Sequence, residues 1–288
     1  MKILVTGKEG SGSWLIRGEQ LGRAAGATVR AHAPEQLMRE HDVVVLVKRP
    51  PSGFIDAARH AGTPVVWDVV DAWPQPDANA WEEGLCVHWL LSEVKRIGAV
   101  AVLCPNDSMV EVLASKGVPA ISLPHHYMPD RAVNPVRAKV SRVGYQGRDL
   151  YLCGDWRTAI EHACMKRGWQ LVSEPMLDLA RVDIAVAFRD GQWDGWIATA
   201  WKSNVKLANA MGTGTPMVLA REDSYCQWGS GVEVMPATPD QVDDAFEHLT
   251  SYEARAALSR VMLSRSSTFQ LANVAAAFRS ALGAVCGR

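Results

Sequence analysis

A chain of 288 residues has room for one large domain or two of ordinary size. With 48% hydrophobic and 21% charged residues it can bury sizeable cores, which excludes a disordered chain. A formal net charge of −1 supplies no overall basic field to draw it to nucleic acid or an anionic membrane, and no run approaches the ~18 apolar residues of a membrane-spanning helix.

From the first residue, short apolar runs alternate with helical stretches. Strands are predicted at 3–6, 28–33, 42–47, 64–70, 100–103 and 120–123. A glycine-rich turn at 7–13 leads into a helix ending near Ala25, and a second clear helix at 108–116 is closed by Gly117. The segment 124–135 breaks the rhythm with three prolines and the pair His125-His126. The alternation then restarts, with strands at 142–145, 170–173, 183–187, 216–220 and 232–235. Helices are expected at 155–167, 202–211, 241–249, 253–263 and about 268–282. Strands that are apolar and β-branched throughout imply parallel sheets covered on both faces. The expected architecture is α/β, with two tandem Rossmann-like domains facing a central cleft: an acceptor-binding unit over 1–129, a donor-binding unit over 130–265, and a C-terminal helix over 266–288 that packs back on the first unit.

The opening Met1-Lys2-Ile3-Leu4-Val5-Thr6-Gly7 meets glycine too soon for a secretory signal. The six cysteines form no C-x-x-C pair, the pattern of reduced and mostly buried thiols in a cytoplasmic protein. Eleven tryptophans are many, and those beside glycine, aspartate or lysine are candidates for stacking surfaces, although core burial is the commoner fate.

The loop Gly7-Lys8-Glu9-Gly10-Ser11-Gly12-Ser13 fails two nucleotide signatures. A Walker loop needs Lys directly after its last glycine, where Ser13 stands. A dinucleotide fingerprint needs G-x-G-x-x-G and an acid ending the second strand, where the chain reads Arg30-Ala31-His32. What remains is a strand-to-helix turn whose free N–H groups suit an anion or the close approach of a ligand, which makes Gly12 and Ser13 candidate donor-binding residues, or a tight turn without a ligand.

The most informative stretch runs from Trp201 to Pro216, with Lys202, Ser203, Asn204, Lys206, Leu207, Asn209, Ala210 and Gly214 inside it. Ser203 or Asn204 can cap a helix whose first N–H groups, with Lys202 alongside and Lys206 one turn on, would face a diphosphate. The stretch resembles the donor-binding signature of the GT-B glycosyltransferases, written K-x-x-x-K-L-x-N-A-x-x-x-G-x-P. It matches closely over about 20 residues, and the tandem α/β plan extends the likeness at the level of architecture. The resemblance implies a nucleotide-sugar donor held by this helix start. Retaining members carry two glutamates eight positions apart, where this chain has Trp201 and Asn209, so retention or inversion stays open.

Other pieces fit the same expectation. Gly147 and Arg148 follow the first strand of the second unit, resembling the family's V-G-R turn. Arg189 and Asp190 end a later strand before a loop holding Trp193 and Trp196. In the first unit, Trp67-Asp68-Val69-Val70-Asp71-Ala72-Trp73 places two carboxylates at a strand end. Asp71 is the first candidate and Asp68 the second for the base that takes the acceptor's proton, with His125 beside the cleft. Adjacent strand residues point to opposite faces, so at most one of His125 and His126 is expected in the site. No D-x-D motif occurs, so helix N–H groups and basic side chains, rather than a metal, are expected to balance the diphosphate. No cofactor beyond the nucleotide-sugar donor, of which a UDP-sugar is the expected form, is implied.

For the acceptor, Lys48, Arg49, Trp73 and Trp193 are the candidates. Arg131, Arg137, Lys139, Arg142 and Arg148 form a basic rim opposed by Asp130 and Asp149. Such a rim suits a polyanion, and the GT-B enzymes that glucosylate hydroxymethylated bases of phage DNA are the precedent. That reading implies a phage-encoded protein in a host cytoplasm, a monomer or weak dimer binding double-stranded DNA and no membrane. A saccharide or small-molecule acceptor, a UDP-sugar 2-epimerase and a non-catalytic nucleotide-sugar binder are the alternatives.

Overall fold

Period-two alternation decides the N-terminal core. In a computed structural model, which describes residues 1–72, 82–152, 154–189 and 195–287, β1 (Ile3–Gly7) and β3 (Val43–Val47) are buried at every position. Leu4, Val44 and Leu46 point into one apolar layer, whereas Ile3, Val5, Val43 and Val45 point into the other. A strand apolar on both sides belongs inside a covered parallel sheet. Accordingly β1, β2 (Thr28–Val29), β3, β4 (Val65–Asp68), β5 (Ala101–Cys104) and β6 (Ala120–Ser122) form one sheet in the order β2-β1-β3-β4-β5-β6, parallel at each pairing.

Between these strands run a nine-residue π-helical segment (Trp14–Gly22), α1 (Glu35–Arg39), α2 (Ser52–Ala61), α3 (Glu83–Ile97) and α4 (Asp107–Ala114). The second sheet contains β7 (Arg142–Gln146), β8 (Gln170–Glu174), β9 (Ile184–Ala187) and β10 (Met217–Leu219), parallel in the order β10-β9-β7-β8. Its helices are α5 (Gly154–Arg167), α6 (Trp196–Ala200), α7 (Val205–Thr213), α8 (Asp223–Trp228), α9 (Val242–His248) and α10 (Tyr252–Arg265). A last helix, α11 (Leu271–Val285), lays Val274, Phe278 and Leu282 against Leu21 and Ala25 of the first unit.

The second unit reaches into the first. Ile197, Ala200 and Trp201 belong to the same apolar layer as Trp67, and Trp201 is fully buried, edge-on to Trp196. Ala72 N–H donates to the Trp201 carbonyl (2.9 Å) and Lys202 Nζ donates back to the Ala72 carbonyl (2.6 Å). Thus one loop of each unit is bonded to the other at the cleft floor.

Three expected elements differ. The strand at 28–33 stops at Val29, since Arg30 N–H still reaches the Val5 carbonyl but His32 turns left-handed (φ 54°). The strand at 232–235 is reduced to a single bridge between Val218 and Val234. There the Glu233 carboxylate takes the N–H groups of Ser230 and Gly231 (2.8–3.0 Å), a local alternative that competes with a ladder. The helix predicted over 202–211 runs instead from Val205 to Thr213. It ends on Gly214, left-handed at φ 66°, where any Cβ would stand 2.6 Å from Leu263.

Candidate functional site

Each sheet reverses its winding once, and in doubly wound folds the crevice at that reversal, beyond the carboxyl ends of the strands, receives the ligand. In the second unit the reversal lies between β7 and β9. The residues after these strands, Gly147 with Arg148 and then Arg189, line a cavity of about 590 Å3. Lys202, Ser203, Val205 and Lys206 form its next wall, and Lys48, Arg49 and Asp71 of the first unit close it from across the cleft. Gly147 is required here, because a Cβ would lie 2.5 Å from the Tyr145 ring that forms part of the wall.

Among the described residues, six cations and one carboxylate line this space. Arg189 is bound to Glu222 (3.1 Å), which is 3% exposed. Burial disfavours the charge on Arg189, but Glu222 more than compensates and holds the guanidinium above its usual range. Lys206 donates to the Tyr145 hydroxyl (3.0 Å), with its ammonium 4.2 Å from the ring centroid. Burial, and then Arg189, lower the Lys206 pKa. Burial also lowers Lys202, to about 8, with Asp71 opposing the shift and Arg189 and Lys48 adding to it. Concentrating cations whose charges repel one another is costly unless anions balance them, and an anionic ligand could supply that balance here.

Asp71 faces the cavity on an unusual turn. Its N–H donates to the Val69 carbonyl two residues back (2.8 Å), and the intervening Val70 is left-handed at φ 67°, a γ-turn that a β-branched residue rarely adopts. Asp68, at the end of β4, accepts the Val70 N–H (3.0 Å) and stands 3.7 Å from the buried Arg17 guanidinium. Lys48 meets the Asp71 carboxylate at 2.5 Å. Burial would raise the Asp71 pKa, but Lys48, Lys202 and Arg189 together hold it well below the usual carboxylate range.

The structure therefore brings Lys48, Arg49, Asp71, Gly147, Arg148, Arg189, Lys202, Ser203 and Lys206 together around one space. Gly12 and Ser13 line a neighbouring crevice of about 450 Å3 on the first unit, which shares Lys48 and Arg49 with the cavity. Other expected site residues stand elsewhere. Asp68 is 2% exposed and supports the Val70 turn rather than the cavity wall. His125 and His126 are each 1% exposed and neither lines the cavity; burial pushes the His125 pKa well below its usual value.

Asn204 does not cap α7. Its Oδ1 accepts the His125 N–H (2.9 Å), a bond between the two units. Asn209 likewise accepts the Met128 N–H (2.8 Å) and donates to Gln146 (2.7 Å), away from the 590 Å3 cavity. Two residues of the basic rim are occupied, Arg137 with Asp183 (3.2 Å) and Arg131 with Asp178 (3.9 Å). Trp73, Asp190 and Trp193 lie outside the described residues.

Sequence reasoning missed Tyr145 and Tyr151 in the wall and Glu222 behind Arg189. Tyr145 reads as a core residue of a strand. Glu222 could have been sought, because a buried arginine at one strand end calls for an acid at the next.

No protein-family model matches the sequence, and no curated protein does. Among solved structures, the chain is similar to Anabaena HepE, solved in complex with UDP, with a TM-score of 0.64 and 12% identity over 99% of this chain and 100% of that one. It is also similar to α,α-trehalose 6-phosphate synthase from Burkholderia multivorans (TM-score 0.59, 13% identity, 93% of this chain and 76% of that one). A third likeness is to the lipopolysaccharide outer core galactosyltransferase WaaB (0.51, 14%, 99% and 98%). By fold, the chain is a two-unit Rossmann-like α/β protein of the GT-B architecture.

Proposed function

We propose that this protein is a glycosyltransferase that moves a sugar from a UDP-sugar to a hydroxyl acceptor. The observation that carries the reading is the convergence of Lys48, Arg49, Arg148, Arg189, Lys202 and Lys206 on one cavity at the switch point of the second sheet. That position and that charge suit a nucleoside diphosphate, and HepE, of the same fold, was solved with UDP. Lys202, Lys206, Arg148 and Arg189 balance the pyrophosphate as the glycosidic bond breaks and negative charge grows on the leaving UDP, without calling on a metal. Residues 130–265 make the donor side and residues 1–129 the acceptor side. Asp71, across the cleft, accepts the proton of the attacking hydroxyl, and Lys48 positions it. Asn204 and Asn209 join the two units, so their place near the donor motif serves the cleft's geometry.

The DNA acceptor suggested by the linker gains no support here. Arg131 and Arg137 are occupied by acids, and Arg148 faces the donor cavity. Glucose is the first sugar to try. Calorimetric titration with UDP is expected to show saturable binding that Lys206→Met weakens, and mass spectrometry of reactions with a panel of UDP-sugars is expected to show free UDP with a glycosylated product. Absence of UDP binding ends the proposal, and an isomerised UDP-sugar with no UDP released would assign an epimerase instead.

A further inference from the structure

The first sheet has its own reversal of winding, between β1 and β3. The crevice of about 450 Å3 lies at that point, lined by the loop from Lys8 to Ser13 and the turn Val47-Lys48-Arg49. Among the described residues, Lys8, Lys48 and Arg49 line it with one acid, Glu9. Lys48 and Arg49 also line the donor cavity, and Lys48 holds Asp71 at 2.5 Å. A ligand in the crevice therefore lies beside both the proposed base and the donor.

The turn between the two spaces is held in a costly shape. Lys48 is left-handed at φ 56°, fixed there by its N–H to the Asp68 carbonyl (2.8 Å) and by its carbonyl accepting from Trp67 Nε1 (2.8 Å). Strain retained by two hydrogen bonds, at a residue common to two cavities, marks a functional junction.

We propose that this crevice is the acceptor site and that the acceptor carries an anionic group, a phosphate or a carboxylate, recognised by Lys8 and Arg49. The proposal rests on the donor reading above and adds the chemical class of the second substrate. It also moves Gly12 and Ser13 from the donor side, where the sequence placed them, to the acceptor side. Charge-assisted hydrogen bonds to a compact anion are about twice as strong as neutral ones, so selection by charge is large and measurable.

Gly12 offers a test that spares the fold. A Cβ built there meets nothing within 4 Å, and its backbone is not in the left-handed region, so Gly12→Trp adds bulk to the crevice wall without a clash at its Cβ. Binding of glucose 6-phosphate, glucuronate and glucose is to be measured by calorimetry on the full chain saturated with UDP. At least one charged probe is expected to bind at least about tenfold more tightly than glucose. In Gly12→Trp that binding is expected to weaken at least about tenfold, and Lys8→Glu is expected to do the same. The phosphate and carboxylate arms identify which anion is preferred.

Three results each overturn the proposal: glucose binding as well as both charged probes, no saturable binding of either charged probe, or charged probes binding Gly12→Trp as tightly as the unaltered chain. Transfer to hydroxymethylated duplex DNA undiminished by Gly12→Trp would overturn it as well. UDP is titrated first, so a failed donor reading appears as missing UDP binding, whereas failure here appears as UDP bound with no charge-selective second ligand.

Discussion

The two walls of the cleft are built on opposite principles. On the second unit, Arg189 and Lys206 are fixed by partners of their own unit, Glu222 and Tyr145, while Lys202 reaches across to the Ala72 carbonyl. Among the described residues, no non-glycine residue following β7, β8 or β9 is left-handed. On the first unit, the residues after β2, β3 and β4 include left-handed His32, Lys48 and Val70, and the facing charges, Lys48 and Asp71, are tied to each other. One wall fixes its charges without left-handed turns among the described residues; the other holds Asp71, the proposed base, among left-handed turns. Strain retained at a site makes a group available in an orientation that an unstrained turn would not supply. That division suits a cradle that binds the donor and a wall that does chemistry on the acceptor.

The sharpest way to break the comparison is Asp71→Asn. If the first wall does the chemistry, transfer falls by about 10²–10⁴-fold while UDP affinity holds or rises slightly, since Lys48 is freed for the diphosphate. Equal loss of turnover and UDP binding would erase the distinction between the walls. The next largest effect is expected on the other side. Lys206→Met removes a charge-assisted contact to the diphosphate, which raises the UDP Kd by roughly 10- to 100-fold. Equilibrium UDP titration checks it, and an unchanged Kd removes Lys206 from the cradle.

A subtler change sharpens the role of Lys48. With Lys48→Met, Asp71 loses the nearest cation that depresses its pKa, so its carboxyl rises toward the usual range near ~4. A base works only above its own pKa, so the acid limb of kcat/KM moves to higher pH in the variant, and activity near about pH 4 drops to roughly half its neutral-pH value while that of the unaltered chain stays level. Superimposable acid limbs would show that Lys48 does not govern Asp71.

The cradle was more legible than the opposite wall because its signal is local. Lys202 and Lys206 stand four residues apart in a recognisable stretch closed by Gly214 and Pro216, and strands apolar at every position made the parallel sheets readable. What local sequence hides is the partner across the cleft. Asn204 and Asn209 read as ligands of a donor because both lie in the motif, yet their side chains bond backbone near His125 and Met128, 79 and 81 residues away. Asp71 and Asp68 stand in the sequence as first and second candidates for the same role, two acids at one strand end. The left-handed turn at Val70 separates them, burying one beside Arg17 and turning the other toward the cavity, and no spacing rule predicts that turn.

The smallest expected effect tests whether the cradle's cations await an anion. Burial, with Arg189 and Lys48 nearby, lowers the Lys202 pKa to about 8 in the chain without ligand, although Asp71 opposes the shift. A bound diphosphate favours the charged ammonium, so the pKa is higher in the complex, and binding above about pH 8 takes up a proton. UDP affinity is therefore level at lower pH and falls as pH rises, by at most about tenfold per pH unit for one proton, until the pKa of the complex is passed. Lys206, lowered for the same physical reason, adds to the fall. Titrations between about pH 7 and 9 in buffers of differing ionisation enthalpy would read both the affinity and the proton count, and Lys202→Met should make the slope shallower. A flat profile with no proton uptake would mean that these lysines are already fully charged without the anion, and that the cavity's positive charge is stabilised from within the protein.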